Sequence, residues 1–347
     1  MKPVRIFKRI QKNPYVLFFL KSINRIRKKD IDYINFALHE YNNPCRLTVK
    51  SFGKKNAGQI IYYIRAQGQG YGFFAEFRAL LCNLLFADNM GMKPNVFWGQ
   101  EHLYFEKDFG VKSNVYEYFF TPISVENALE SKNIVFSSAL QNAYVENVYG
   151  VSGYESTEEF ENALIQIIKK YIQIKPELVA EYEKQIKTIF QNKRVLGVHH
   201  RGTDYKKSYD GHPVQIKPEQ EIQQVLDIKE KYHIDLIFLA TDDLELLNCY
   251  KKQFGEDLAY FEDTYRGEED KSIAFSTEKR TVHHYLLGKE VLRDVYTLSK
   301  CTCLVAGKSQ VSFFARIFNK CGIQQYEYVE IIDNGLNKNK NYFKVGK

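Results

Sequence analysis

The chain has 347 residues and a hydrophobic fraction of 44%, enough apolar material for a sizeable core in two domains or one large one. Its formal charge of +7 is concentrated at one end: ten of the 49 Lys and Arg fall in residues 1–29, which hold no Asp or Glu, and the remainder sets 39 bases against 42 acids. A body with that balance is not a general nucleic-acid binder, and six cysteines without framework spacing (Cys45, Cys82, Cys249, Cys301, Cys303, Cys321) exclude a disulfide scaffold and a zinc knuckle and read as reduced thiols of a cytosolic protein.

The basic leader, residues 1–30, has its longest apolar run at 15–20, far short of the roughly 20 residues that span a bilayer. No small-residue cleavage site follows; Lys21, Arg25, Arg27, Lys28 and Lys29 do. Basic residues around an apolar stripe suit peripheral contact with an anionic membrane, with a solvated arm or a cleaved signal as alternatives. Next comes a strand over 62–65, a glycine loop at 68–72, a helix over 73–89 that stops at Gly91, and a strand over 95–98. This is a β–loop–α–β unit at the start of a Rossmann-like half. A further strand is predicted at 133–137, and helical spacing covers 157–191 with a break at Pro176. From Arg194 a second half follows, with strands at 195–199, 236–240, 258–261 and 304–306 and helices at 218–232, 243–254, 280–299 and 309–319. Alternation of this kind predicts parallel, doubly wound sheets.

The chemistry gathers at strand ends. Val195 to Val198 are apolar, and His199, Arg201, Thr203 and Asp204 follow at once. Ligands of open α/β sheets bind outside the carboxyl ends of strands, and an arginine there presents a fork suited to phosphate. Asp204 can accept from a hydroxyl or a ring N–H, or else form a surface ion pair with Arg201. Gly68, Gly70 and Gly72 precede a helix and allow close approach of backbone N–H groups to an anion, or only a tight turn. The spacing is not the dinucleotide fingerprint, and no ribose-binding acid ends the next strand, which disfavours an NAD-dependent oxidoreductase. Gly307-Lys308-Ser309 lacks the earlier glycine of a P-loop, since position 302 is Thr. Ser309 and Gln310 instead open a helix toward a phosphate, or form a plain N-cap. Asp242 and Asp243 end a strand without metal-binding DxD spacing and equally suit a helix N-terminus. Asp294 lies on a helix face that could simply be solvated. His199-His200 and His283-His284 are adjacent pairs, which on a strand face opposite ways, so no metal site is expected.

Together these segments resemble the GT-B fucosyltransferases, the group that includes the nodulation and α1,6-fucosyltransferases and, more distantly, the protein O-fucosyltransferases. Gly70-Tyr71-Gly72 resembles the family's glycine loop, 197–204 its donor motif, 239–243 its second strand end, and Asp294 with 298–299 and 309–311 its third motif. The likeness is good over about 190–320 and thin elsewhere. The chain also looks like bacterial capsule and surface-polysaccharide proteins with an RGTDY…GHP segment, here 201–205 and 211–213.

The resemblance implies an α/β, GT-B fold of two Rossmann-like domains facing across a cleft: after the leader, an acceptor-side domain over 31–190 and a nucleotide-sugar domain over 191–347. It implies an inverting, metal-independent transfer of fucose from GDP-fucose to a glycan hydroxyl in cell-surface polysaccharide synthesis. Arg201 would bind the β-phosphate. His199 and Asp294 would hold guanine, and Ser309 and Gln310 the diphosphate. Asp204 and Asp242 would orient the site, with Asp243 and the Gly70–Gly72 loop on the donor side. The base would be Asp210 or Asp204. No cofactor is implied beyond the GDP-sugar co-substrate; the partners are that donor and a glycan or lipid-linked glycan acceptor, at the cytoplasmic face of the membrane. Closure of the cleft on donor binding is expected. One departure stands out: Gly202 occupies the position of the family's second arginine, removing one cation. The rivals are a GT-B transferase using GDP-mannose or a UDP-sugar and a non-catalytic nucleotide-sugar-binding protein of an assembly complex.

Overall fold

The computed structural model describes residues 47–68, 71–107, 109, 114–202, 205–267, 273–277 and 280–341, together with Ile23. The rest of the leader, Gly70 and Asp204 lie outside them. The first half runs β1 (Ile61–Arg65), α1 (Phe73–Asn89), β2 (Lys93–Phe97), a single turn α2 (Tyr116–Phe119), β3 (Ile134–Phe136), α3 (Ala139–Val148), α4 (Glu158–Tyr171) and α5 (Pro176–Phe190). The second runs β4 (Val195–His200), α6 (Pro218–Lys231), β5 (Leu236–Thr241), α7 (Leu244–Phe254), β6 (Leu258–Ala259), α8 (His283–Leu298), β7 (Cys303–Gly307), α9 (Gln310–Cys321) and β8 (Tyr328–Ile332).

Two parallel sheets result, in the orders β2-β1-β3 and β6-β5-β4-β7-β8. This is the arrangement of two parallel α/β sheets predicted from the sequence. Local chemistry sets the element ends. Thr157 caps α4 by accepting the Phe160 N–H, three glutamates fill its first turn and Lys169 and Lys170 its last, the polarity that the helix dipole favours. Pro176 starts α5 where its missing N–H costs nothing. The predicted strand over 258–261 shortens to two residues. Helix α3 and strand β8 are not anticipated; β8 is a half-buried edge strand whose polar and apolar residues do not alternate cleanly.

Strand β4 lies at the centre of the second sheet, with Val198 paired to Leu239 on one side and Val305 on the other. Its period of two divides it: Leu196 and Val198 belong to the core under α6 and α7, whereas Val195 faces the opposite core. That opposite core is continuous through both halves. Phe74 of α1 stacks on Phe314 of α9 at 5.4 Å, Phe77 approaches Phe314 at 5.1 Å, and Tyr285 of α8 stacks on Phe109 at 3.8 Å and on Phe119 at 5.7 Å. At Gly288 of α8 a Cβ would stand 2.5 Å from the Phe119 ring, so glycine lets the helix seat against the other half. A large apolar junction of this kind opposes relative movement of the parts it joins. The two halves thus share one core, against which any closure on donor binding would have to work. Among the described residues no helix is long and apolar enough to cross a membrane.

Candidate functional site

The carboxyl end of β4 delivers His199 and His200 to opposite faces of the sheet and Arg201 to its edge. Both histidines are buried. Arg201 is paired with Asp242 at 3.3 Å, and the other Asp242 oxygen accepts the Gly202 N–H at 2.9 Å. One buried carboxylate at the end of β5 thus fixes both the guanidinium and the backbone that follows it. With His199, Thr241, Glu290 and Asp294 these residues line a pocket of about 50 Å³. That is room for a few waters, so a purine requires the walls to part. Ser309, the N-cap of α9, lies 3.4 Å from His199 Nδ1 and also lines a second cavity of about 330 Å³, with Tyr154, Lys308 and Arg316 in its wall.

The environment sets the charges. Burial, reinforced by Arg201 and His200, pushes His199 down to about 3, so it faces the pocket neutral. Burial raises Asp294 to about 7; Arg293 and Arg266 pull it down, and Glu290 and Asp263 push it up. On the far face His200 Nδ1 lies 3.1 Å from Glu221 Oε2, which also accepts the Tyr250 hydroxyl at 2.8 Å. Burial lowers His200, but Glu221, aided by Asp242 and Asp243, outweighs it and leaves the imidazole above its ordinary value.

Of the residues singled out in the sequence, His199, Arg201, Asp242 and Asp294 come together around one pocket, and Ser309 adjoins it. Asp243 is occupied as the N-cap of α7, accepting the Glu245 and Leu246 N–H groups at 2.9 and 3.3 Å, and pairs with Lys206 at 2.8 Å. Gln310 donates to the Gly153 carbonyl at 2.9 Å and so ties α9 to the first half. Asp210 is not among the pocket-lining residues; its carboxylate accepts the Lys340 N–H at 2.9 Å and its own N–H donates to the Asn341 carbonyl. Tyr71 is exposed, and Gly72 caps α1 with an extended backbone that does not require glycine. Gly202 has a steric cause: a Cβ there would stand 2.3 Å from that of Asp243. With Asp243 capping α7, no larger residue fits, and Lys206 supplies a cation nearby.

Two residues not singled out belong to the site. Glu290 stands one helical turn before Asp294, holds Arg280 at 2.6 Å and accepts the Tyr265 N–H; its i, i+4 spacing was a readable signal. Tyr104 accepts the Phe73 N–H at the start of α1 and lies close enough to Arg201 to feel its charge; it sits in an irregular run with no sequence signal. Among the described residues no group of three or more His, Cys, Asp or Glu side chains is arranged to hold a metal ion.

No protein-family model and no curated protein matches the sequence. Solved structures do resemble it. NodZ alpha-1,6-fucosyltransferase soaked with GDP-fucose is 16% identical, with a TM-score of 0.48 over 75% of this chain and 92% of its own. The fucosyltransferase NodZ from Bradyrhizobium gives 16%, 0.45, 74% and 92%. POFUT1 in complex with GDP-fucose gives 10%, 0.46, 80% and 98%. The chain is similar to these in fold.

Proposed function

We propose that this chain is a glycosyltransferase that moves fucose from GDP-fucose to a glycan hydroxyl, with inversion and without a metal ion. What carries the reading is the end of β4: an arginine held by a buried aspartate, beside a neutral histidine and a carboxyl raised to about 7 in the same pocket. Asp294 in its ionised form accepts the N–H groups of guanine, and His199, uncharged, completes the base contact. Arg201 meets the β-phosphate, and the α9 N-terminus with Ser309 adds backbone donors. The acceptor oxygen bonds to the anomeric carbon as the bond from that carbon to the β-phosphate oxygen breaks. The hydroxyl proton passes to a carboxylate, and GDP leaves with its new charge held by Arg201, in a setting where preorganised donors are worth most. Asp204 is the preferred base, because the Asp210 carboxylate is engaged by the segment at 340–341.

The two sheets serve as acceptor side and donor side, the basic leader keeps the enzyme at the cytoplasmic face of a membrane, and the acceptor is a cell-surface polysaccharide or its lipid-linked precursor. Calorimetric titration with GDP, UDP and NAD, with and without Mg²⁺, tests the donor. Metal-independent GDP binding that is lost in Arg201→Ala is the expected result; preference for UDP overturns fucose as the sugar. Radiolabelled GDP-fucose with glycan acceptors then tests transfer, and flotation of the full chain against a form starting at residue 30 tests the leader. Gly202, with one cation fewer at the phosphates, favours one rival, a nucleotide-sugar-binding protein without catalysis; binding without transfer to any acceptor or to water is its signature.

A further inference from the structure

A groove runs along α5 at the amino-terminal end of the second sheet, away from the donor pocket at its carboxyl end. Its first half, about 570 Å³, is walled by Ile168, Ile172, Ile174, Val179, Phe318 and Cys321. Its second half, about 810 Å³, is walled by Lys184, Lys187, Lys193, Arg194 and Phe190, and Lys300 belongs to both halves. The acids of the second half are already engaged: Glu327 by Arg194 at 2.6 Å, and Glu183 by the Tyr296 hydroxyl and by Lys300 at 3.4 Å. Lys184, Lys187 and Lys193 have no carboxylate partner among the described residues. Between the two halves, Gly322 lines the apolar part and Gln324 the basic part. Ile323, between them in sequence, is 105% exposed, the most exposed of the large apolar side chains described.

A trough that is apolar at one end and cationic at the other, with a bare isoleucine on its rim, is the complement of an anionic amphiphile. A nucleic acid would leave the apolar half unused. The chain's own leader, with ten bases and no acid over residues 1–29, would repel the three lysines. We propose that this face docks on an anionic phospholipid bilayer, with a lipid phosphate among Lys184, Lys187 and Lys193, an acyl chain along Ile172, Ile174 and Val179, and Ile323 entering the interface. This contact is additional to the leader and does not depend on the sugar-transfer reading. It also orients the molecule. Arg194 and Thr302 precede β4 and β7, whose other ends lead to Arg201 and Ser309. Six residues of strand span about 20 Å, so the docked enzyme turns its donor pocket away from the lipid.

The test uses the full chain and vesicles of phosphatidylcholine with or without phosphatidylglycerol. Wild-type protein is expected to partition onto the anionic vesicles, and K184E/K187E/K193E to lose on the order of 100-fold or more, from about fivefold per neutralised lysine. A site-specific readout comes from Ile323→Trp, because the one native tryptophan, Trp98, is fully buried. Its emission is expected to shift to the blue and to be quenched by brominated acyl chains. Undiminished partitioning of the triple variant, which is the outcome if the leader binds alone, would overturn the proposal. So would Ile323→Trp emission that brominated lipid leaves unchanged. Native circular dichroism and an unaltered melt establish that each variant is folded, and GDP titration of the same samples keeps failure of the donor reading separate.

Discussion

His199 and His200 are neighbours in sequence and opposites in chemistry. His199 shares its face of β4 with Arg201 and a dry pocket, and burial holds it neutral. His200, on the other face, meets Glu221 from α6, itself bonded by Tyr250 of α7, and is favoured in its charged form. Both are buried: burial, with the Arg201 charge beside it, keeps His199 neutral, whereas Glu221 outweighs burial at His200. The face that holds Arg201 and its Asp242 partner at the rim of a pocket is where an anionic ligand has something to gain. The face with the closed ion pair has only stability to offer.

Substitutions that break this division should sort into two kinds. The largest effect is expected from Arg201→Ala, which should lower transfer from GDP-fucose on the order of 10²–10³-fold or more in single-turnover kinetics, with the variant still folded by circular dichroism. On the other face, Glu221→Leu leaves His200 without its countercharge. It should cost about 3–5 kcal/mol in urea unfolding, and the variant, where folded, should still bind GDP.

The pH dependence sharpens the contrast. In the proposed role Asp294 would have to ionise to accept from guanine, and its carboxyl is raised to about 7. GDP affinity should therefore climb nearly tenfold per pH unit up to about 7 and then level off, while Asp294→Asn should flatten that profile. The two histidines act on stability in opposite senses. His199, about 3 in the fold against roughly 6.5 unfolded, makes the protein lose stability as pH falls below about 6.5. His200, raised in the fold, contributes stability that is complete below its unfolded value and is lost as pH rises through its folded one. Each unit of difference is worth about 1.4 kcal/mol, so His199→Gln should remove an acid limb of the stability profile and His200→Gln an alkaline one. The smallest effect is expected from Gly202→Ala. The new methyl would stand 2.3 Å from the Asp243 Cβ, so the backbone at the start of α7 must shift, and about 1–3 kcal/mol of destabilisation should be seen by differential scanning calorimetry.

The sequence made one part of this division readable. An apolar run of four that ends in His, Arg and Asp marks a buried strand and its ligand end, and the strand period alone sends His199 and His200 to opposite sides. Which histidine meets a carboxylate directly was hidden, because Glu221 and Tyr250 lie 21 and 50 residues after His200 and each reads as an ordinary helical position. Asp243 and Gly202 needed each other: an aspartate opening a helix and a glycine after an arginine are unremarkable until their side-chain positions coincide. The long helices were visible through Pro176, Thr157 and their own periodicity, and α3 was not. The seating of α8 and α9 on α1 was not, since aromatic spacing says that a face is apolar and not which other face it meets.

That seating constrains how such a protein can change over generations. Where two halves are loosely joined modules, one can be exchanged for another in a single recombination. Here any incoming second half must also bring a Phe314, a Tyr285 and a Gly288 shaped to Phe74, Phe109 and Phe119. A second half without them would leave the aromatic face of α1 and the Phe119 ring uncovered, and the chimera would be expected to fold poorly.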